Sequence, residues 1–339
     1  MKADVELRKV QLTGGSTYII SLPKDWAGSL GLKPGDYLQI VRQPDMSILL
    51  VPRGKRAEKP SEAFIDASLA RSPEEVVREF IACYLTGHDV IRLKLGGRVD
   101  EYKSFLKRVM RNKLIGLETV EESTDYIVIR CLLGYVDFPI KDAVNRMHVM
   151  TISMCRDAIK ALRSQDKSLA NDVVQRDDEV DRLYLFVVRG LKMAVEDRLL
   201  MREMGLINPR ECLGYRLIVK SIERIADHAA RIAKLSTAIS PSSAGNLVER
   251  ISSIADTAFK IYEDSVSSLF KMDLKQANRT LDEVYKLYEM ESEAIKRILG
   301  SSLDIRTITG LRLILESVRR IAEYGADIAE IVINLAIKP

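Results

Sequence analysis

The feature that most constrains this chain is an internal repeat in its C-terminal part. Residues 214–233 (GYRLIVKSIERIADHAARIA) and 310–329 (GLRLILESVRRIAEYGADIA) are identical at eleven of twenty positions, at a constant offset of 96 residues. Chance does not give that match over a window without gaps. Self-similarity at a fixed spacing indicates a duplicated structural unit. The sequence therefore predicts that one unit occurs twice.

Helical periodicity extends from Pro139 to the end of the sequence. Breaks at Asn208-Pro209, at Ser240-Pro241 and near residues 300–304 divide this region into predicted helices. These lie at residues 139–164, 169–203, 211–239, 243–270, 273–299 and 305–337. The second helix superposes on the fifth at an offset of 108 residues, which places Val180 on Tyr288. We predict two three-helix bundles packed side by side, at residues 139–240 and 241–339.

The N-terminal part of the chain has a different pattern and predicts two further domains. Residues 1–53 have the alternation and turn residues of a small β-rich unit, with strands at 5–12, 17–22, 37–42 and 47–51 and a short helix after Pro23. Residues 54–71 predict a linker by composition. Residues 72–135 predict a compact α+β module, to which the sequence assigns no function. Because some fifty residues with such short strands bury little surface, we expect the first domain to need a partner subunit.

Charge and composition restrict the classes of function. The net charge is +4, and residues 1–60 hold the whole surplus, with ten Lys and Arg against six Asp and Glu. A basic partner surface is therefore expected at the N-terminus. No apolar run approaches the roughly 20 residues of a membrane span, which argues against membrane insertion. The four cysteines contain no C-x-x-C pair, which favours a reduced cytoplasmic setting and argues against a cysteine-zinc site.

Two pairs of acidic residues are the candidate chemistry of the helical region. Asp177 and Asp181 lie one turn apart at the edge of an apolar stripe, and Glu223 and Asp227 have the same spacing on the next long helix. Such pairs on neighbouring antiparallel helices supply the oxygen ligands that a divalent or trivalent metal ion prefers. Two other interpretations remain open at this point. The acids form a solvated face, or they form ion pairs with the arginines at positions 224 and 231.

The segment Glu223-Arg-Ile-Ala-Asp227-His-Ala-Ala-Arg-Ile-Ala is similar to the E-R-x-x-D-x-x-x-N-I-A signature on the third helix of each repeat in the PhoU family of phosphate-uptake regulators. Asp177-Asp-Glu-Val-Asp181 resembles the D-x-x-x-D of that family's second helix. The resemblance covers about residues 139–339. It implies two PhoU bundles, metal-carboxylate clusters, and signalling of phosphate status to a transporter or regulator.

The second repeat departs from this signature. Arg319 stands where the signature has Glu, and Glu323 and Asp327 stand where it has Asp and Asn. At the offset of 108, Asp181 superposes on Glu289. The resemblance therefore implies a metal site at Asp177, Asp181, Glu223 and Asp227, and a weaker one at Glu289, Glu323 and Asp327, where Arg319 puts a cation in a ligand position.

The N-terminal domain contains three characteristic segments: Arg8-Lys9-Val10, Ser21-Leu22-Pro23-Lys24 and Leu30-Gly31-Leu32-Lys33-Pro34-Gly35-Asp36. With these segments the domain resembles the AbrB/SpoVT family of swapped-hairpin, DNA-binding dimers. The resemblance implies a homodimer formed by this domain and a role in binding DNA. The residues that remain to contact DNA phosphates are Arg8, Lys9, Lys24, Arg42 and Arg53. Ile19 and Ala27-Gly28 stand where family members often carry basic residues, so a plain dimerisation module is the alternative.

Three functional hypotheses follow from these patterns. The first is a dimeric, DNA-binding transcription regulator whose helical bundles sense phosphate status. The second is an adaptor that acts on a phosphate transporter or its signalling partner without binding DNA. The third is a metallo-hydrolase built on the acid pairs. The three histidines, His88, His148 and His228, are too dispersed to supply an obvious acid or base, so we predict no catalytic residues and no enzyme activity.

Overall fold

The computed structural model describes residues 5–43, 46–52, 60–95, 99–132, 134, 138–239 and 241–337. The chain divides into two compact units, residues 1–60 and residues 61–339. Among the described residues, every helix is too short or too polar to span a membrane.

The first unit consists of two short antiparallel hairpins and one short helix. Its elements are β1 (Gln11–Thr13), β2 (Thr17–Ile19), α1 (Lys24–Ser29), β3 (Leu38–Arg42) and β4 (Ile48–Pro52). Gly14 and Gly15 have φ of 60° and 74°, which turns the chain between β1 and β2 and favours glycine. The predicted strand at residues 5–12 was wrong for most of its length, because pairing begins only at Gln11.

The apolar side chains of this first unit have no interior to occupy. Of its described residues, only Pro23 and Gln43 are buried. Leu7 is 94% exposed, and Tyr37 and Ile40 are also largely exposed. A single copy therefore does not bury the apolar surface that would stabilise it.

An α+β module begins the second unit. It consists of β5 (Glu62–Asp66), a 3-10 turn (Ala67–Leu69), α2 (Pro73–Leu85), β6 (Val90–Lys94), α3 (Val99–Lys113), β7 (Leu117–Glu122) and β8 (Tyr126–Cys131). The sheet order is β5-β6-β8-β7, with β5 parallel to β6 and the other pairs antiparallel. The predicted linker at residues 54–71 was wrong from residue 62 onward, because β5 pairs with β6 along its whole length and buries Ile65.

The rest of the second unit is helical and confirms the predicted fold class. The first bundle contains α4 (Ile140–Ser164), α5 (Lys167–Glu196), the short α6 (Arg198–Glu203) and α7 (Pro209–Ser236). The second contains α8 (Pro241–Lys271), α9 (Leu274–Leu299) and α10 (Ile305–Ala336). The single helix predicted at residues 169–203 was wrong. Asp197 leaves the helical conformation, and its carboxylate accepts hydrogen bonds from the main-chain N–H groups of Leu199 and Leu200, which starts α6.

One continuous apolar core joins the two bundles, and α7 packs against α10 along the seam between them. The two helices carry the repeat, so residues 96 positions apart are equivalent. His228 and Tyr324 are such a pair, and their ring centroids lie 5.9 Å apart. At the same seam, Nη2 of Arg231 lies 3.4 Å from Oε2 of Glu316. The duplicated helices therefore meet at equivalent positions that carry different side chains.

Arg189 of α5 attaches the α+β module to the first bundle. Its side chain is 2% exposed and stacks over the ring of Tyr84, with 5.0 Å from the guanidinium carbon to the ring centroid. Its guanidinium donates hydrogen bonds to the carbonyl oxygens of Tyr84 and Gly87, the second at 3.2 Å. A buried cation is stable only where acceptors compensate it, and here the end of α2 supplies them. No pattern in the sequence predicts this contact.

Candidate functional site

The candidate site lies between α5 and α7 in the first bundle. Asp177 and Asp181 are half-buried beside the buried stripe residues Val173 and Val180, as the apolar periodicity predicts. Their spacing of four residues puts both carboxylates on one face of α5. They are held at the boundary between the core and solvent.

The facing helix, α7, contributes Glu223 and Asp227. The Glu223 side chain is 12% exposed, and its two carboxylate oxygens accept hydrogen bonds from Nζ of Lys220 at 2.7 and 2.6 Å. Nη1 of Arg224 lies 3.6 Å from Oδ2 of Asp227. The ion-pair interpretation is therefore partly correct for Glu223 and Asp227. Their partners are Lys220 and Arg224 of the same helix. Arg231 pairs instead with Glu316.

Electrostatics shows that the four acids form one cluster. Burial raises the pKa of Asp177 to about 7, and repulsion from Asp227 and Asp181 adds to the rise. Burial, followed by repulsion from Glu223, raises the pKa of Asp181 to about 6. The pKa of Asp227 is also raised, first by burial and then by Glu223. Burial and the neighbouring carboxylates together thus disfavour ionisation of Asp177, Asp181 and Asp227.

A hard cation suits this donor set chemically. Carboxylate oxygens are the ligands of Mg²⁺, Ca²⁺ and related ions, and a bound cation would relieve the mutual repulsion. In the conformation described, however, no three Asp, Glu, His or Cys side chains of the described residues are close enough to form a metal-binding group. Binding would require Glu223 to leave Lys220 and the carboxylates to turn toward a common centre.

The equivalent region of the second bundle requires a corrected alignment. Tyr288 and Leu299, which the offset of 108 placed on buried residues of α5, are 40% and 62% exposed. An offset of 107 instead places Val180 on Leu287 and Leu191 on Ile298, all of which are buried. A shift of one residue turns a helix by 100°, so the predicted offset was wrong by about a quarter turn.

This correction removes the first acid pair from the second bundle, because Asp177 now corresponds to Val284 and Asp181 to Tyr288. Glu289 is exposed on another face of α9. Asp327 is exposed on α10. The placement of Glu289 with the other two acids is therefore wrong.

Glu291 of α9, which sequence reasoning missed, instead faces α10. Oε1 of Glu291 lies 3.2 Å from Nε of Arg319, and its side chain is largely buried. Arg319 also forms an ion pair with Glu323, and Nη1 of Arg320 donates to Oε2 of Glu323 at 2.6 Å. The second bundle thus holds a network of ion pairs between α9 and α10, whereas in the first bundle the cations that accompany Glu223 and Asp227 come from α7 itself. The correct offset, which aligns the buried residues of α9 with those of α5, would have placed Glu291 on the side of α9 that faces α10.

The predicted DNA-contacting residues lie in the first unit. Arg8, Lys9, Lys24 and Arg42 are all exposed, as phosphate contact requires. Arg8 forms an ion pair with Glu6, and Nη2 of Arg42 lies 3.3 Å from Sδ of Met46. Arg53 lies outside the described residues.

Comparison with known proteins decides the family. A sequence model of the PhoU domain matches residues 144–236 and 251–332, which together are just over half of the chain and fall one in each bundle. The chain belongs to the PhoU family. A second model, of the antidote-toxin recognition protein MazE, a bacterial antitoxin, matches residues 11–58. Both resemblances drawn from the sequence, to PhoU bundles and to a small MazE/AbrB-like N-terminal domain, are confirmed.

Relatives and solved structures agree with this membership. A "phosphate-specific transport system accessory protein PhoU homolog" of Borreliella burgdorferi is 31% identical over 98 residues, which are 28% of this chain and 42% of that protein. The protein of the same description in Clostridium acetobutylicum is 21% identical over 196 residues, 56% of this chain and 87% of that protein.

Two crystal structures of PhoU proteins share the fold of the helical region. PhoU from Pseudomonas aeruginosa superposes with a TM-score of 0.50 at 19% identity, over 58% of this chain and 94% of that one. The phosphate transport system regulatory protein PhoU from Streptococcus pneumoniae gives 0.51 at 18% identity, over 58% and 92%. The rest of this PhoU-family chain lies outside these superpositions.

Proposed function

We propose that this chain regulates phosphate uptake as an adaptor that acts on components of a phosphate transport system. The observation that carries the proposal is the duplicated bundle, both halves of which match the PhoU domain. The relatives in Borreliella and Clostridium are described as accessory proteins of phosphate-specific transport. In this chain the two α5–α7 acid pairs form the candidate sensing centre.

Phosphate uptake by cells that lack the chain tests this role. We expect uptake to respond less to the external phosphate supply, and the wild-type chain to restore the response. A chain with Asp177→Asn and Asp227→Asn should restore it poorly. Asp178→Asn is the matched control, because Asp178 is an exposed neighbour on the same helix. An unchanged uptake response in cells without the chain would contradict the proposal.

We further propose that Asp177, Asp181, Glu223 and Asp227 hold a divalent or trivalent metal ion. The support is the oxygen donor set on two facing helices and the raised pKa values of Asp177, Asp181 and Asp227, which arise first from burial and then from repulsion between the carboxylates that positive charge would relieve. When bound, the ion would supply that charge. Glu289, Glu323 and Asp327 of the second bundle are excluded from this proposal, because Arg319 and Arg320 already neutralise Glu323.

Elemental analysis of protein purified without chelator tests the metal site. Wild-type protein should contain metal, and the variant with Asp177→Ala and Asp227→Ala should contain markedly less. Asp178→Ala should retain the wild-type content. Equal metal content in the wild type and in the double variant would remove the proposed site.

A second candidate function is DNA binding by a homodimer of the first unit, which would make the chain a transcription regulator. Two observations favour it: the exposed apolar residues of this unit require a partner, and residues 1–60 carry the whole positive surplus of the chain. A second copy would cover those apolar residues, and the exposed Arg8, Lys9, Lys24 and Arg42, together with Arg53, would meet phosphates.

Binding to DNA from the chain's own promoter distinguishes this candidate from the adaptor alone. Affinity should fall steeply with salt, and the triple variant Arg8→Ala/Lys9→Ala/Lys24→Ala should bind weakly. Removing three exposed cations of α4, with Lys141→Ala/Arg146→Ala/Lys160→Ala, is the matched control. Unchanged DNA binding by the first triple variant would contradict the DNA-binding hypothesis. Co-purification of the chain with a transporter, without any DNA footprint, would favour the adaptor function alone.

A further inference from the structure

A cleft opens where the α+β module meets the first bundle. Its volume is about 590 Å³, and it is lined by the second half of α3, the start of β7 and Arg182 of α5. Cavities of this size accommodate small organic ligands. The PhoU-type acid cluster does not include any of the lining residues.

The charges that line the cleft are mostly positive. Lys107, Arg111 and Arg182 face one acid, Glu118. Arg111 forms no ion pair with any described residue, and Nε of Arg182 is buried without a hydrogen-bond partner in the described part of the chain. Lys107 forms an ion pair with Glu122 at 2.7 Å, and Nη1 of Arg182 forms one with Glu179 at 3.3 Å. The guanidinium groups of Arg111 and Arg182 therefore have N–H donors that form no hydrogen bond or ion pair with the described residues.

An apolar floor and a strand edge complete the cleft. Met110 and Leu114 are buried beneath it. The four consecutive residues 116–119 all line it. Because successive strand residues point to opposite faces, a cavity that touches all of them runs along the strand edge. Among the described residues, β7 is the outer strand of the sheet and pairs with β8 alone, so its outward main-chain groups are available to a ligand.

A purely structural role accounts for only some of these cations. Arg111 lies in the last turn of α3, where a cation offsets the negative end of the helix dipole. Arg182 projects from the middle of α5 and has no such role. Cations that converge from two different elements over an apolar floor are the pattern of a binding site, and Arg is the residue suited to bidentate contact with phosphate.

We propose that this cleft binds a small phosphate-bearing molecule with a planar or apolar portion, of which a nucleoside monophosphate is the simplest example. Arg111 and Arg182 hold the phosphate, Met110 and Leu114 contact the apolar portion, and the edge of β7 offers main-chain hydrogen bonds. The ligand would contact both the α+β module and α5, and so would bias how these two parts are held together.

Calorimetric titration of the full-length chain with AMP, and separately with inorganic phosphate, tests the proposal. AMP should bind with one-to-one stoichiometry, and phosphate about tenfold or more weakly, because phosphate does not use the apolar floor. Arg111→Gln and Arg182→Gln should each weaken AMP binding about tenfold, whereas Glu118→Gln should strengthen it. Arg78→Gln, an exposed arginine of α2 outside the cleft, should have no effect.

The opposite signs of these effects keep the test independent of folding defects, because a misfolded variant does not bind more tightly. Absence of a saturable heat with both probes would overturn the proposal. AMP affinity that is the same in Arg111→Gln, Arg182→Gln and Glu118→Gln would overturn it equally, since the ligand would then bind elsewhere. The result does not depend on whether the chain regulates phosphate uptake, because the readout is binding to the purified protein.

Discussion

At the scale of single residues, Arg189 is a buried charge whose two terminal nitrogens find acceptors, whereas its Nε has no hydrogen-bond partner in the described part of the chain. Its guanidinium donates to two main-chain carbonyls of the α2 end, and its ring contact with Tyr84 fixes the plane of the group. Gly87 is part of the same arrangement. Its φ is 90°, and a Cβ at this position would lie 2.8 Å from Cγ of Met193. The α+β module thus packs against α5 through the long side chain of Arg189 and through the absence of a side chain at Gly87.

Replacing Arg189 by Met should destabilise the chain by about 1–3 kcal/mol. The substitution keeps the apolar part of the side chain but removes the guanidinium donor from the carbonyl of Gly87 and one of two donors from that of Tyr84, which still accepts from the N–H of Gly87. A buried acceptor that loses its partner costs about this much. Urea unfolding followed by circular dichroism measures the change. Arg78→Met, on the exposed face of α2, should leave the free energy of unfolding within about 0.5 kcal/mol of wild type. A similar effect of both substitutions would contradict the role given to Arg189.

The acid cluster predicts a dependence of stability on pH. The folded-state pKa values of Asp177 and Asp181 are about 7 and about 6, above the ordinary aspartate value, so the folded state binds these protons more tightly than the unfolded state. The stabilisation is complete at low pH and is lost as the pH rises through these values. Lys234 and Lys113 act in the opposite direction but do not cancel the shift.

We therefore expect Asp177→Asn to raise the melting temperature of chelator-treated protein above that of wild type by an amount that grows as the pH rises from about 4 to about 7. The lowered pKa values of His148 and His228, both about 4, make stability rise with pH below about pH 6.5, but both histidines are present in the two proteins and cancel in this comparison. Asp178→Asn should give a much smaller pH-dependent difference, because Asp178 is only the weakest source of repulsion on Asp177 and Asp181. A difference between Asp177→Asn and wild type that is the same at every pH would show that the cluster does not titrate in this way.

At the scale of elements, periodicity predicted the helices well and their rotational alignment poorly. The repeat in α7 and α10 was evident because residues of a shared core pattern recur at one offset. The match between α5 and α9 has few identities, so an error of one residue went undetected until burial distinguished Leu287 from Tyr288. The sequence also missed β5, since Phe64 is 66% exposed and a strand at a sheet edge with one buried residue has no clear alternation.

The close approach of α8 and α10 gives a prediction at the scale of elements. A Cβ on Gly325 would lie 3.1 Å from Cα and 3.2 Å from the main-chain nitrogen of Tyr262, and main-chain atoms cannot move aside individually. Gly325→Ala should therefore destabilise the chain by about 1–2 kcal/mol, despite the better helix propensity of alanine. Gly245→Ala in α8 has open space around its Cβ and should stabilise by up to about 1 kcal/mol. Thermal melting compares them, and stabilisation by both changes would contradict the packing argument.

At the scale of the whole molecule, the two units differ in self-sufficiency. Residues 61–339 contain two apolar cores of their own, whereas the described part of residues 1–60 buries no large apolar side chain. A unit that depends on a second copy also depends on protein concentration. Assembly of this chain should therefore be governed by its N-terminal unit.

A chain that begins at Ser61 tests this division. It should keep the helical signal and the cooperative unfolding of the full-length protein, because both cores are retained. It should be a monomer by light scattering, whereas the full-length chain should be a dimer. A shortened chain that is still dimeric would place the interface in the α+β module or the bundles.

The seam between α7 and α10 has a consequence for such a dimer, in which two identical chains are held close together. Lys220 and Arg231 of α7 are replaced at the equivalent positions of α10 by Glu316 and Asp327, so these two cations have acids as their counterparts, whereas Arg216 and Arg224 are matched by arginines. If α7 of one chain met α7 of its neighbour, cation would face cation, and two α10 helices would set acid against acid. At these two positions, only the pairing of unlike halves brings opposite charges together. The charge difference between the two copies of the repeat therefore favours packing of a first half against a second half over packing of two like halves.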